Sequence, residues 1–226
     1  MKSEQVEGAQ ADAFRERIVE ASLELIKEQG LGALSMREVA RRAGVSHQAP
    51  YHYFADREAI LGAIAEQGFR LLREGVGAAT SMQGGGLTDA LIRAGESYIR
   101  FAFNHPSHFR VMFRRELVVM ENHEGLKAEG DRACDVFYSA VRRAVEAGLP
   151  ADEGVDALFL LCWSVGHGLA CLVLDGPLDV VMPGQDREQQ MQQVLSTFAR
   201  LVEARIALKK SSEKPARARA PVRKRG

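Results

Sequence analysis

The chain has 226 residues, 46 % of them hydrophobic and 27 % charged, with 30 Lys and Arg balanced by 30 Asp and Glu. That length buries a full core by itself, so neither a disulfide framework nor a structural metal is needed. Cys134, Cys162 and Cys171 all fall in apolar helical patterns, which suits buried thiols in a reducing compartment and sets a cytoplasmic expectation.

The opening MKSEQVEGAQADAF lacks the apolar centre of a signal peptide, and residues 1–11 are expected to be disordered. The longest apolar run, Ala157 to Leu174, is broken by Ser164, Gly166, His167 and Gly168, so no membrane span is expected. Neutrality is an average over an uneven chain. From Lys209 onward there are eight basic residues and one acid, so the end carries +7 and the remainder −7. Accompanied by Pro, Ala and Ser, residues 209–226 read as a disordered basic tail, either a solvated end or a source of sequence-independent attraction to phosphates.

Helical periodicity dominates and no convincing period-2 strand occurs, so the fold class is all-α. Phe14, Ile18, Ala21, Leu25 and Ile26 line a first helix that stops at Gly30. Ser35-Met36-Arg37-Glu38 is a capping box opening a short second helix, which Gly44 ends. Ser46 is the expected N-cap of a third helix running to Tyr53. Asp56 caps a fourth, longer one with Ile60, Leu61, Ile64, Phe69 and Leu72 inside. These four helices make an N-terminal unit over residues 12–74, and the Gly-rich stretch 75–86 reads as a connection. A second unit over 87–208 follows, with helices expected at Leu87–Phe103, Pro106–Phe113, Leu126–Ala147, Asp152–Leu174 and Arg187–Leu208. The fourth of these is apolar nearly all round and is expected to be surrounded by protein.

Helix, glycine turn, helix is the arrangement that lays a short helix in the DNA major groove while its predecessor braces it across the backbone. His47, Gln48 and Ala49 project from the start of the third helix, where glutamine can pair with adenine and alanine can touch a thymine methyl. Ser35, Arg37, Ser46, Tyr51, His52 and Arg57 offer hydroxyl, imidazole and guanidinium groups for phosphates and register. Tyr53 and Phe54 read as packing at the junction with the fourth helix, and Arg41 and Arg42 as a solvated face. Pro50 cannot donate to the Ser46 carbonyl and biases Ala49 away from the helical region. The third helix is therefore expected to start late or wind tightly.

The run from Leu34 to Ser46, then Tyr51-His52-Tyr53-Phe54-Ala55-Asp56-Arg57-Glu58-Ala59-Ile60-Leu61, resembles the DNA-binding domain of TetR-family transcriptional regulators. Two positions depart from the family pattern: Arg57 stands where lysine is frequent, and Ala49-Pro50 replaces a hydroxyl and aliphatic pair. Cys162 to Ala170, with Trp163, His167 and Gly168, is similar to the TetR-like C-terminal domain called WHG, as is the upstream Asn104 to Phe113. The resemblance implies a homodimer held by the last two helices, double-stranded operator DNA as partner, repression as the usual mode, and a small-molecule effector without a cofactor.

Trp163 and His167 share one helix face. With Phe109, Phe113, Phe137 and Tyr138 they can line an apolar ligand pocket holding a few polar groups, or else form an aromatic core around a satisfied histidine. Rival functions have less support. Ser164 and His167 suggest a hydrolase, yet Cys162 stands where a nucleophile elbow needs glycine, and no strand precedes the serine. His105, His108, Glu116 and His123 are metal-type ligands without a tight set, leaving a metal-responsive regulator of the same fold as the alternative. A helical interaction protein would have no use for the recognition segment.

Overall fold

The computed structural model describes residues 2–82, 84, 86, 88–176, 180–184 and 186–212. Eight α-helices and no strand occur among them. The helices are α1 (Lys2–Gln29), α2 (Met36–Arg42), α3 (Arg57–Ser81), α4 (Asp89–Asn104), α5 (Pro106–Met112), α6 (Glu124–Glu146), α7 (Val155–Leu174) and α8 (Arg187–Ser212). Single 3-10 turns sit at Leu31–Ala33, Ala49–His52 and Met120–Asn122.

Three boundaries differ from the sequence reading. Residues 2–11 are helical rather than disordered, because Ala, Gln and Glu dominate there and no proline interrupts them, so α1 extends beyond the part that its apolar face anchors. The expected connection at 75–86 is helical as far as Ser81. Val76 is buried there, and a Cβ on Gly75 would lie 3.2 Å from Ser97 Oγ, so this glycine serves the close approach of α4 rather than a loop. Arg93 of α4 then donates to the carbonyls of Ala79 (3.0 Å) and Met82 (3.2 Å), satisfying acceptors that the end of α3 leaves open. The third difference lies in the expected tail: α8 runs through Ser212, and Lys209 reaches Asp152 Oδ1 at 3.1 Å. The remainder of the tail, residues 213–226, lies outside the described residues.

No hinge separates two cores. One apolar cluster runs from Ile18, Leu25 and Phe54, through Ile60, Leu61 and Ile64 of α3, to Phe69, Leu72, Tyr98, Phe109 and Phe137. Polar ties cross the same junction: Ser107 Oγ donates to the Leu23 carbonyl at 3.2 Å, and His108 Nε2 meets Gln67 Oε1 at 3.1 Å. α3 is therefore at once the last helix of the N-terminal head and the spine of the second half.

α7 is not surrounded within one chain. Gly166, Leu169, Ala170 and Val173 are buried, while Leu160 and Leu161 keep 57 % and 53 % of their surface exposed. By length and composition α7 is also the one helix among the described residues that could cross a membrane. The cysteines likewise differ from expectation, since Cys134 is exposed on α6 and only Cys162 and Cys171 are partly enclosed. Burial pushes the Cys162 thiol up to about 11, which keeps it protonated and inert near neutrality.

Candidate functional site

The head is built around α2 and the turn after it. Ser35 has extended backbone and its Oγ accepts the Glu38 N–H at 3.2 Å, giving half of the expected capping box. The return half is replaced: the Glu38 carboxylate takes the Arg41 guanidinium at 3.0 Å, a charged partner one turn on that holds its pKa below the usual range. Arg42 is no solvated face. It pairs with Glu24 and Glu28 of α1 and clamps the two helices together. α2 closes with Gly44 at φ +65°, and the Val45 N–H returns to the Ala40 carbonyl at 3.0 Å, the 6→1 bond of a Schellman cap.

The segment after that cap is the 3-10 turn Ala49–His52, not an α-helix from Ser46. Pro50 supplies the reason. Its nitrogen cannot donate to the Ser46 carbonyl, and that oxygen instead accepts the Ala49 N–H at 3.0 Å. Tyr51 N–H to Gln48 O (3.1 Å) and Tyr53 N–H to Pro50 O (3.0 Å) continue the i→i+3 pattern. Ser46 makes no side-chain cap at this turn, whose N-cap is Gln48. The Pro50 ring is buried, so the residue that tightens the turn also anchors it.

Ser35, Arg37, Ser46, His47, Gln48, Tyr51 and His52 are all solvent-exposed, and Ala49 is half-buried. The His47 and Tyr51 rings lie side by side with centroids 6.0 Å apart. Arg57 departs from the expected role of a free phosphate cation: half-buried, it donates to the Leu31 carbonyl at 3.0 Å and ties the start of α3 to the turn after α1. The same carbonyl accepts the Leu34 N–H at 3.3 Å, so the guanidinium is its second donor. Tyr53 stacks on Phe14 at 4.5 Å, Phe54 is 2 % exposed beneath the Arg15 guanidinium, and Arg15 also donates to the Tyr53 carbonyl at 2.8 Å.

A second site lies between α3, α4, α5, α6 and α7. It is a chamber of about 370 Å³ walled by Phe69, Tyr98, Phe113, Phe137, Phe159 and Trp163, with Met112 and Met120 filling between the rings. Of the residues expected here, Phe113, Phe137 and Trp163 line it. Phe109 and His167 do not; they sit behind Phe113 in a separate cleft of about 180 Å³. Tyr138 is absent from both, because one residue beyond Phe137 is about 100° further round the helix. Its hydroxyl donates to Asp156 Oδ1 at 2.7 Å.

Tyr98 is the residue that sequence reasoning missed. Its hydroxyl lies 2.7 Å from His167 Nδ1 and accepts the Trp163 indole N–H at 3.3 Å. The indole has only a donor, so in that contact the tyrosine oxygen is the acceptor. Burial lowers the His167 pKa and keeps the ring neutral, and burial likewise raises the Tyr98 pKa. His167 is thus a satisfied histidine in an aromatic cluster, edge-on to Phe113 at 4.7 Å. Local sequence carries no signal for Tyr98, whose partners are 65 and 69 residues away.

The metal-type side chains do not converge. His105 and His108 stand edge to face at 5.5 Å, while His123 packs on Gly62 and approaches Glu58 at 3.6 Å. Among the described residues no three His, Cys, Asp or Glu side chains form a metal-ligand set.

Comparison with known proteins fits this geometry. Residues 18–64 match the family described as bacterial regulatory proteins, tetR family. Residues 91–198 match the tetracyclin repressor-like C-terminal domain, and the two matches together cover more than half of the chain. The chain belongs to the TetR family. The WHG subtype is a finer assignment than this C-terminal match makes.

Among curated relatives, the class A tetracycline repressor of Escherichia coli transposon 1721 is 25 % identical over 146 residues, 65 % of this chain and 61 % of that protein. BetI of Rhizobium meliloti is 45 % identical over 47 residues, 21 % of this chain and 23 % of BetI. The chain therefore spans less than two thirds of the length of either. Among solved structures, a Rhodococcus sp. RHA1 protein of unknown function superposes with TM-score 0.66 at 27 % identity, covering 82 % of this chain and 93 % of that one. The TetR-family regulator PfmR of Thermus thermophilus gives 0.63 at 22 %, covering 83 % and 94 %, a likeness of fold.

Proposed function

We propose that this TetR-family chain is a cytoplasmic transcriptional repressor that binds a palindromic operator as a homodimer and releases it when a small molecule fills the aromatic chamber. The observation that carries the DNA-binding part is the exposed turn His47–Tyr51, presented after a clamped α2 and stiffened by a buried proline. Gln48 is the base reader in this scheme, with Ala49 and His47 beside it. Ser35, Arg37, Tyr51 and His52 meet phosphates and fix the register.

Two such heads need a dimer to reach half-sites about 34–36 Å apart or a multiple of that. α7 supplies a suitable face. Leu160, Leu161, Ser164, Gly168 and Leu172 fall on one stripe at helical spacing, and a Cβ on Gly168 would meet nothing within 4 Å. Small residues between exposed leucines let a second copy of the helix pack closely. Leu201 and Leu208 of α8, at 66 % and 70 % exposure, extend the apolar surface. Burying such a face against its own copy is the reading we favour over lipid, because the opposite side of α7 is committed to Tyr98 and the chain's own core.

Coupling between chamber and head follows two short routes. α3 carries chamber walls at Phe69, Leu72 and Val76, and its first turn is the end of the head. The 3-10 turn Met120–Asn122 places Met120 in the chamber wall, while the neighbouring Val119 N–H donates to Glu58 Oε1 of α3 at 3.2 Å. A ligand acts through these contacts only insofar as it binds the two head arrangements unequally. The scheme assigns no catalytic residue, since His167 spends Nδ1 on Tyr98 and not on Ser164. The direct test is selection of fragments from a random DNA pool by the full chain. Recovery of a two-fold motif supports the proposal, and retention of all sequences alike refutes operator recognition.

A further inference from the structure

Building on the operator-binding reading, we infer that His47 and His52 enter the DNA complex as imidazolium ions, so that binding takes up protons and weakens as pH rises. The head is short of free positive charge. Residues 12–64 hold seven Lys and Arg against eight Asp and Glu, a net charge of −1 with both histidines neutral and +1 with both protonated. Phosphates are drawn by cations, and most cations of the head already serve the head itself. Arg41 pairs with Glu38, Arg42 with Glu24 and Glu28, and Arg57 donates to the Leu31 carbonyl. Arg15 donates to the Tyr53 carbonyl, and Arg17 lies 5.1 Å from the centre of the Phe14 ring. Among the described residues of the head, that leaves Lys27 in the last turn of α1 and Arg37 on α2.

The two imidazoles stand where added charge counts most. Both are exposed, one on each side of the run Gln48–Tyr51 that forms the recognition turn. The charged groups on the elements around that turn are Arg37, Glu38, Arg41 and Arg42 of α2, Arg15 and Arg17 of α1, and Asp56, Arg57 and Glu58 at the start of α3. Their carboxylates are engaged elsewhere. Glu38 is held by Arg41, Asp56 Oδ1 accepts the Ala59 N–H at 2.9 Å, and Glu58 Oε1 accepts the Val119 N–H at 3.2 Å. The one histidine–carboxylate approach among the described residues is that of His123 to Glu58, at 3.6 Å. The ring neighbour of His47 is Tyr51, with centroids 6.0 Å apart. A phosphate beside an imidazole favours the charged form and so raises its pKa in the complex. Affinity is therefore full while the free imidazole is charged, and is lost as pH rises through the range of the bound one. The histidines of the second half do not compete for this role: burial lowers His105, His108 and His167.

The test selects DNA fragments with the full chain at about pH 6 and at about pH 8, then follows the affinity for one selected fragment across that range by fluorescence anisotropy. The expected result is binding about ten- to a hundredfold weaker at the upper end. The slope of log affinity against log salt should be steeper at the lower pH by about 0.9 for each histidine charged. Calorimetry in two buffers of different ionisation enthalpy counts the protons directly, and that count stands even if a variant does not fold. His47→Gln and His52→Gln keep a hydrogen-bond donor without the charge; each should remove about half of the proton uptake, and the double variant all of it. Arg37→Ala should weaken binding alike at both pH values and leave the uptake unchanged. An affinity independent of pH, or a pH dependence that persists in the double variant, overturns the inference and leaves the operator reading intact. Failure to select any fragment at either pH refutes the operator reading itself.

Discussion

Gly68→Ala sets two effects of similar size against each other. In an isolated helix the change gains about 1 kcal/mol, because glycine gives up more backbone freedom than alanine. In α3 the added Cβ would lie 2.5 Å from Met112 Sδ, 2.9 Å from Met112 Cγ and 3.2 Å from His108 Cβ. Met112 is flexible, but it is 5 % exposed and walls the chamber, so it can move only into that space; His108 Cβ cannot move without α5. Overpacking of this kind costs about 1–3 kcal/mol. The expected net result is destabilisation by about 1 kcal/mol, after the helix-propensity gain is subtracted. Urea unfolding at one protomer concentration should show a lower midpoint with unchanged slope. Met112→Ala alone should cost about 2–5 kcal/mol, yet the double variant should be more stable than the sum by about 1–2 kcal/mol, since the clashing atoms are gone. A Gly68→Ala protein that gains stability would refute the close packing of α3 on α5.

The remaining expectations concern pH, assembly and DNA. Burial, with His105 nearby, depresses His108 from 6.5 to about 4, so the unfolded chain binds the proton first. Stability should then fall as pH drops from 6.5 through about 4. The loss is at most about 3 kcal/mol, and His108→Gln should flatten the curve measured by denaturant titration across that range; an unaltered curve rules His108 out as its source. Leu160→Glu should leave helicity intact and shift sedimentation toward monomer, with at least about tenfold weaker operator binding. An unchanged oligomeric state would remove α7 from the interface. Gln48→Ala should relax selection at one base position at a cost of about 1–3 kcal/mol. Tyr51→Phe and Arg37→Ala should instead weaken all sequences together, with the salt dependence reduced by about one unit of slope for Arg37. Unchanged selection with Gln48→Ala would take it off the readout surface.

Local signals were legible wherever the cause was local. The Ser35 and Asp56 caps and the Gly30 and Gly44 stops depend on neighbours within one turn, and they stand where the pattern placed them. The effect of Pro50 on the recognition turn was equally readable, because a missing N–H acts on the carbonyl four residues back. Glu38 was misassigned because its carboxylate had an alternative partner in Arg41, which spacing alone does not rank, and Ser46 because the turn after it starts later, with Gln48 as its N-cap. Gly75 and Gly77 read as loop because composition cannot distinguish a helix breaker from a place where another helix comes close.

The chain's pattern of caps, stops and apolar faces determined an all-helical fold with a helix-turn-helix type of head, since those cues rest on periods of three to four residues. Tertiary structure alone decided which aromatic rings enclose the chamber, that Tyr98 joins Trp163 to His167, that Arg42 and Arg57 brace the head, and that α7 leaves its leucines uncovered. Each of those outcomes depends on residues tens of positions apart meeting in space, where rotation about a helix by one residue separates Phe137 inside from Tyr138 outside.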